Sequence, residues 1–196
     1  MNTFAIAVAI TSVFVAASPV LAQQPWAVEV RGGVAFPTAD LGEDELDTGL
    51  GFEGTIRYDF MPHLAAYAGW DWMHFGADDA GGVTDVDVES TGYALGLRFE
   101  HPFSGETGYG LAYWARAGVL IDHIEIEDQD GNLIADTGHG LGWEVGAGVA
   151  IGVGDRGSFT PGVRFRSLSR DLEFDGGEVP VDLRYMTAEL GFAWRF

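Results

Sequence analysis

From residue 26 onward, apolar and polar residues alternate with a period of two, the spacing of strands whose two faces meet different surroundings. In 26–36 the even positions are Trp26, Val28, Val30, Gly32, Val34 and Phe36, and the odd ones are Ala27, Glu29, Arg31, Gly33 and Ala35. In 50–60, Leu50, Phe52, Ile56, Tyr58 and Phe60 oppose Glu53, Thr55, Arg57 and Asp59. The pattern returns near 64–75, 90–100, 109–126, 141–153, 158–169 and 183–196, which predicts eight strands. Most are close to the roughly 9–11 residues that a tilted strand needs to cross a bilayer, and some are longer. The connections alternate as well: short at 61–63, 101–108 and 154–157, long at 37–49, 76–89, 122–140 and 171–182. The expected fold is all-β: a closed antiparallel up-and-down transmembrane barrel of about eight strands, with short turns at one end and long loops at the other.

Charge decides which face of the barrel is the inner one. The four long connections hold twenty-one of the 30 acidic residues and extend the strands as acidic loops. Glu106 and Asp155 fall in short turns, and the remaining seven, Glu29, Glu53, Asp59, Asp71, Glu100, Glu144 and Glu189, share the less apolar face of their strands. Seven arginines share it by the same parity: Arg31, Arg57, Arg98, Arg116, Arg164, Arg166 and Arg195. Arg184 breaks the pattern near a strand end. A soluble eight-stranded barrel hides its apolar face inside. Here the Trp, Phe, Leu, Val and Tyr band is too large to enclose, and the charged face needs a small interior in which opposite charges meet. The apolar face is therefore expected to point outward.

Composition adds three limits. All 10 basic residues are Arg, and the net charge of −20 leaves too few cations to neutralise a run of nucleic-acid phosphates. Cysteine is absent, so no disulfide or thiolate metal site is available. Residues 1–22 read as an export signal: an uncharged stretch from Phe4 to Ala17, then Pro19, then Val20-Leu21-Ala22 before Gln23. No later segment reaches the ~18 apolar residues of a spanning helix. The expected organisation is a signal peptide at 1–22, removed on export, and one barrel domain at 23–196.

The chain closes on Leu190-Gly191-Phe192-Ala193-Trp194-Arg195-Phe196. This alternating aromatic pattern ending in Phe resembles the last strand of bacterial outer-membrane barrels. In that family the pattern is a sorting signal read by the barrel-assembly machinery, a role the resemblance gives to Phe192, Trp194 and Phe196. The glycine-rich Gly142-Trp143-Glu144-Val145-Gly146-Ala147-Gly148-Val149 and the following Pro161-Gly162-Val163-Arg164-Phe165-Arg166 are similar to a hairpin of the small eight-stranded OmpA, OmpX and OmpW type, often grouped as the porin family. The resemblance covers about 26–196 and implies the outer membrane of a Gram-negative-type bacterium, in contact with lipid and lipopolysaccharide. With nothing beyond the barrel, a peptidoglycan-binding tail is not expected.

The candidate functional set is the inward charge network: Glu29, Arg31, Glu53, Arg57, Asp59, Asp71, Arg98, Glu100, Arg116, Glu144, Arg164, Arg166, Glu189 and Arg195. It serves either as a structural plug or as the gate of a narrow channel for ions or small solutes. A third use is surface adhesion through the hairpin near 122–140. The acidic loops are candidates for divalent cations, which prefer clustered oxygen ligands. Asp128-Gln129-Asp130-Gly131-Asn132 does not make a calcium loop, because Ile126 and Thr137 stand where its first and twelfth ligands belong. Asp130-Gly131, between Ile124/Ile126 and Leu133/Ile134, reads as a hairpin turn that extends strands five and six above the membrane. None of the five histidines, His63, His74, His101, His123 and His139, stands two residues from a Ser as lipid A deacylases require. The expectation is envelope structure or surface function, with no catalytic residue, no resident metal and no cofactor.

Overall fold

The computed structural model describes residues 25–38, 46–80, 83–103, 110–127, 133–174 and 177–196. Ten strands follow in order: β1 (Trp26–Pro37), β2 (Gly49–Met61), β3 (Leu64–Ala80), β4 (Val83–Pro102), β5 (Leu111–Glu127), β6 (Leu133–Asp136), β7 (Gly140–Val153), β8 (Gly157–Phe159), β9 (Gly162–Phe174) and β10 (Gly177–Arg195). Sequential antiparallel pairing runs β1 to β5, then β5 to β7, β7 to β9 and β9 to β10. β10 returns to β1 with Ala27 opposite Arg195 and Pro37 opposite Tyr185, which closes the sheet. Phe196 N–H donates to the Trp26 carbonyl at 2.9 Å and seals one end of that seam.

Eight staves result, because two of them are interrupted strands. β6 and β7 are separated at 137–139, where Gly138 takes a φ of 62° that only glycine adopts without strain. The Ile124 N–H is kept satisfied there by Thr137 Oγ1 at 2.9 Å. β8 and β9 are separated at Thr160 and Pro161. Pro161 has no N–H to give, yet its carbonyl still accepts from Val149 at 3.0 Å, so the stave bends without leaving the wall.

Three of the four long connections are mostly strand and not loop. β3 and β4 run on to Ala80 and from Val83, β5 reaches Glu127, and β9 and β10 reach Phe174 and Gly177. Above the apolar belt the alternation continues with its polarity inverted: Val88, Ile124 and Ile126 turn inward, while Asp87, Glu89, Glu125 and Glu127 do not. The 20 residues of β4 span roughly 65 Å at about 3.3 Å per residue, far more than an apolar band about 25 Å tall requires. The hairpins therefore project beyond the membrane. The 1–22 segment, Asp40, Glu43, Asp44, Glu45, Glu106, Asp128, Asp130 and Asp175 lie outside the described residues, as do the side chains of Asp78, Asp79, Asp85, Arg170, Asp171, Glu173 and Glu178.

The outer surface carries the apolar belt. Val30 is 63% exposed to solvent in the isolated chain and Leu141 74%, values that only a surrounding hydrocarbon layer makes tolerable. Rings pair along it, as Trp26 with Tyr58 at 4.8 Å and Trp143 with Phe165 at 5.4 Å. The interior has two tiers. Charges fill the half nearer the short turns, and an apolar tier of Ala35, Met73, Phe75, Val88, Leu120, Ile124, Leu168, Leu183 and Tyr185 fills the half nearer the hairpins. That second tier adds an apolar layer that the expected charge network did not include.

Gly96 and Gly118 face each other across β4 and β5, and a Cβ on either would strike the Tyr67 hydroxyl. Gly54 is different: nothing lies within 4 Å of the Cβ it lacks. Gly96→Val is expected to lower stability by about 1–3 kcal/mol through overpacking. Gly54→Ala should stay within roughly 0.5 kcal/mol of the parent. Urea unfolding in lipid vesicles, followed by tryptophan fluorescence, separates the two.

Candidate functional site in the barrel interior

The inward row of each strand follows from its parity, and the structure places all fourteen charged residues of the candidate set on that row. Eleven are buried; Asp59, Glu100 and Arg195 lie at the mouth near the short turns, with the Arg195 side chain 43% exposed. The wall itself sets like charges side by side. Glu53 pairs in register with Asp71, and Arg98 with Arg116. Directly opposed like charges destabilise a sheet. Each is relieved by a side chain reaching over from another part of the wall.

Glu53, on β2, is the hub. Arg116 of β5 donates to both its oxygens at 2.7 and 3.1 Å, Arg166 of β9 donates at 2.7 Å, and Arg164 donates from the same strand. Arg166 then crosses the bore to hold both oxygens of Asp71 on β3, one of them at 3.1 Å. Glu144 of β7 accepts from Arg116 Nε at 2.9 Å, Arg166 Nε at 3.0 Å and the Tyr67 hydroxyl at 2.6 Å. A second cluster lies toward the short turns. Arg31 is 2.5 Å from Glu29 and also bonds Glu189, and Arg98 reaches Glu29 and Glu100 at 3.1 Å each. Arg57 joins Asp59 at 3.1 Å and Glu100 at 3.2 Å, and Arg195 donates to Glu100 at 3.0 Å. Arg164 to Glu189, at 2.8 Å, ties the clusters together.

Four neutral side chains complete the network, and parity alone did not single them out. Trp114 lies between Arg31 and Arg98, whose guanidinium carbons are 5.1 and 4.6 Å from its ring, and its Nε1 donates to the Val149 carbonyl at 3.1 Å. Tyr67 supports Arg116 at 4.3 Å. Thr160 donates to Glu29, and Thr187 to Glu189 at 3.3 Å. An inward aromatic beside two inward arginines was the available signal, since a delocalised cation stacks on a ring where a hydrated ammonium does not. The pocket bounded by Arg31, Gly33, Gly51, Met73, Arg164, Thr187 and Glu189 has room for about one water, too little for a solute.

Phe192, Trp194 and Phe196 face outward at the end of β10, and Phe159 packs on Phe192 at 5.4 Å. Arg184 also points outward, 2.9 Å from Asp182. Among the described residues no group of three or more His, Asp or Glu side chains is arranged around a metal position.

Removing one member of a buried ion pair leaves its partner charged and uncompensated. Glu53→Gln, which deprives three arginines at once, is expected to cost about 3–5 kcal/mol of unfolding free energy. Arg195→Gln, at the solvated mouth, is expected to cost under about 1 kcal/mol. Urea titrations of the two variants in the same vesicles check the ratio.

The family model for the outer membrane protein β-barrel domain matches residues 5–196. No curated protein matches the chain in sequence. Solved barrels match in structure: Neisserial surface protein A (NspA) at 14% identity and a TM-score of 0.62, covering 88% of this chain and 97% of that one. OprG from Pseudomonas aeruginosa gives 14% and 0.63 over 88% and 97%. Ail, the attachment invasion locus protein of Yersinia pestis, gives 15% and 0.51 over 87% and 99%. At such identities the structures speak for the fold, and the sequence model for the kinship: the chain belongs to the outer membrane protein β-barrel family.

Proposed function

We propose that this protein is a closed, non-conducting barrel of the Gram-negative outer membrane, exported by a leader ending near residue 22, with a role in envelope structure and at the cell surface. The filled bore carries this reading. Seven arginines and seven carboxylates are paired within it, Arg166 spans it to Asp71, and an apolar tier follows. A permeating ion would have to separate several mutually bonded buried charges and then cross the apolar tier without ligands. In this reading Phe192, Trp194 and Phe196 engage the barrel-assembly machinery, and the belt contacts lipid and lipopolysaccharide.

The hairpins supply the surface role. Glu89, Glu125 and Asp136 stand opposite one another across β4, β5 and β6, a like-charge row that divalent cations would relieve and could bridge to anionic headgroups. Ail was solved with a heparin analogue, sucrose octasulfate. A polyanion of that kind finds no complementary charge on this acidic row, so adhesion through these hairpins would call for a cationic partner.

Single-channel recording of the refolded chain from Gln23 onward in a planar bilayer tests the proposal. The expected result is a silent membrane, with insertion verified by protease protection. Reproducible openings that change in Arg116→Ala or Arg164→Ala would replace the plug with a gated narrow channel.

A further inference from the structure

One arginine stands apart from the charge network. Of the arginines whose side chains are described, seven line the bore or its mouth, and Arg156 lies in the short turn between β7 and β8. Arg184, on β10, points outward at the hairpin end, with its side chain 46% exposed. The chain has no lysine, so among the described residues Arg184 alone sets a permanent positive charge on the outward wall at that end.

Its neighbours fix its level. The next outward residue toward the short turns is Met186, exposed and in register with Phe165 of β9 and Phe36 of β1. In register with Arg184 itself stand Ser167 on β9 and, beyond it, the exposed Trp143 on β7. Toward the hairpin tip the next outward pair is Asp182 and Ser169. Apolar residues on one side and polar ones on the other place the guanidinium where the belt ends, the level at which a long cationic side chain lays its stem on hydrocarbon and its head in the headgroups.

The head is only partly occupied. Arg184 Nη2 donates to Asp182 at 2.9 Å, and the other oxygen of Asp182 accepts from Ser169 Oγ at 2.6 Å. Among the described residues Asp182 is its one partner. An exposed pair of this kind contributes little to stability. A guanidinium fork can grip two oxygens of one anion, and here most of its donors remain for that use. The other side of the rim is unlike this one: the outward residues of β4, β5 and β6 past the belt include Asp87, Glu89, Glu125 and Asp136, which repel an anion.

We propose that Arg184 binds the phosphate of an outer-leaflet lipid, with the acyl chains lying against Met186, Phe165 and Trp143. The position defines the occupant: anionic, to complement the guanidinium; bearing two or more oxygens on one centre, to fill the fork; and amphiphilic, because the site is the end of an apolar belt. Asp182 is a rival acceptor on the same fork and keeps the affinity low. The inference rests on reading the hairpin end as the outer face of the membrane.

Native mass spectrometry of the refolded chain from Gln23 onward tests the site, with phosphatidylglycerol or phosphatidylcholine added to the detergent and a chelator present so that divalent cations cannot bridge lipid to the acidic row. The first phosphatidylglycerol should bind more tightly than the first phosphatidylcholine. Arg184→Gln should weaken that first phosphatidylglycerol about two- to fivefold, the scale of one arginine near a charged membrane surface, and leave phosphatidylcholine unchanged. Asp182→Asn should strengthen it, and Arg156→Gln, at the opposite rim, should not alter it. A preference that survives Arg184→Gln, follows Arg156 or falls in Asp182→Asn overturns the assignment. Protease protection of the same variants in phosphatidylcholine vesicles separates the two readings: failure of the parent to insert would sink the membrane placement as well, whereas insertion without lipid preference sinks this inference alone.

Discussion

The larger charge cluster inside this barrel is arranged around the neutralisation of Glu53. Its carboxylate is shared by Arg116, Arg164 and Arg166, which leave two different strands and approach from across the bore. In a narrow interior with little water, charges are tolerable only in balance, so one acid on β2 dictates what β5 and β9 must present. The balance also explains the exclusive use of arginine. A planar guanidinium serves two or three carboxylates at once, as Arg166 does for Glu53, Asp71 and Glu144, whereas a lysine ammonium is a single strongly hydrated point. Trp114 offers its face to the guanidiniums of Arg31 and Arg98, and Tyr67 to that of Arg116, and so they hold the planes in place.

The membrane imposes the complementary demand on the outer surface. No backbone group may remain unpaired in hydrocarbon, and the closed ladder from β1 round to β10 meets that demand without any edge. The two interrupted staves show how strictly it is kept. At Thr160 and Pro161 the chain leaves strand geometry, yet Thr160 N–H still donates to Gly191 at 2.9 Å and Gly191 N–H to Thr160 at 3.3 Å.

Parity alone exposed the charged face, because most inward acids and arginines in the membrane stand against outward large aliphatic or aromatic neighbours, Arg116 between Ala115 and Ala117 being an exception. The same rule failed past Tyr93 and Ile121. There the outward positions become Glu89 and Glu125 and the inward ones Val88 and Ile124. Alternation persists, but a search for an apolar outer face reads the inverted stretch of β3 and β4 as acidic loop, whereas the hairpin turn at Asp130-Gly131 already extended the strands that became β5 and β6. Leu168, flanked by Ser167 and Ser169, and Leu183, flanked by Asp182 and Arg184, were hidden by the same inversion, since here too the buried position is the apolar one.

The seam between β1 and β10 joins the two ends of the barrel's chain: Ala27 sits opposite Arg195, with all the other staves lying between them in sequence. Contacts so distant along the chain form late, since the loop they close carries the largest entropy loss of any in the molecule. Until that moment both β1 and β10 present a free row of amides and carbonyls inside a membrane that cannot solvate them. Such an intermediate is costly, so the topology favours closing the seam together with insertion and not after it.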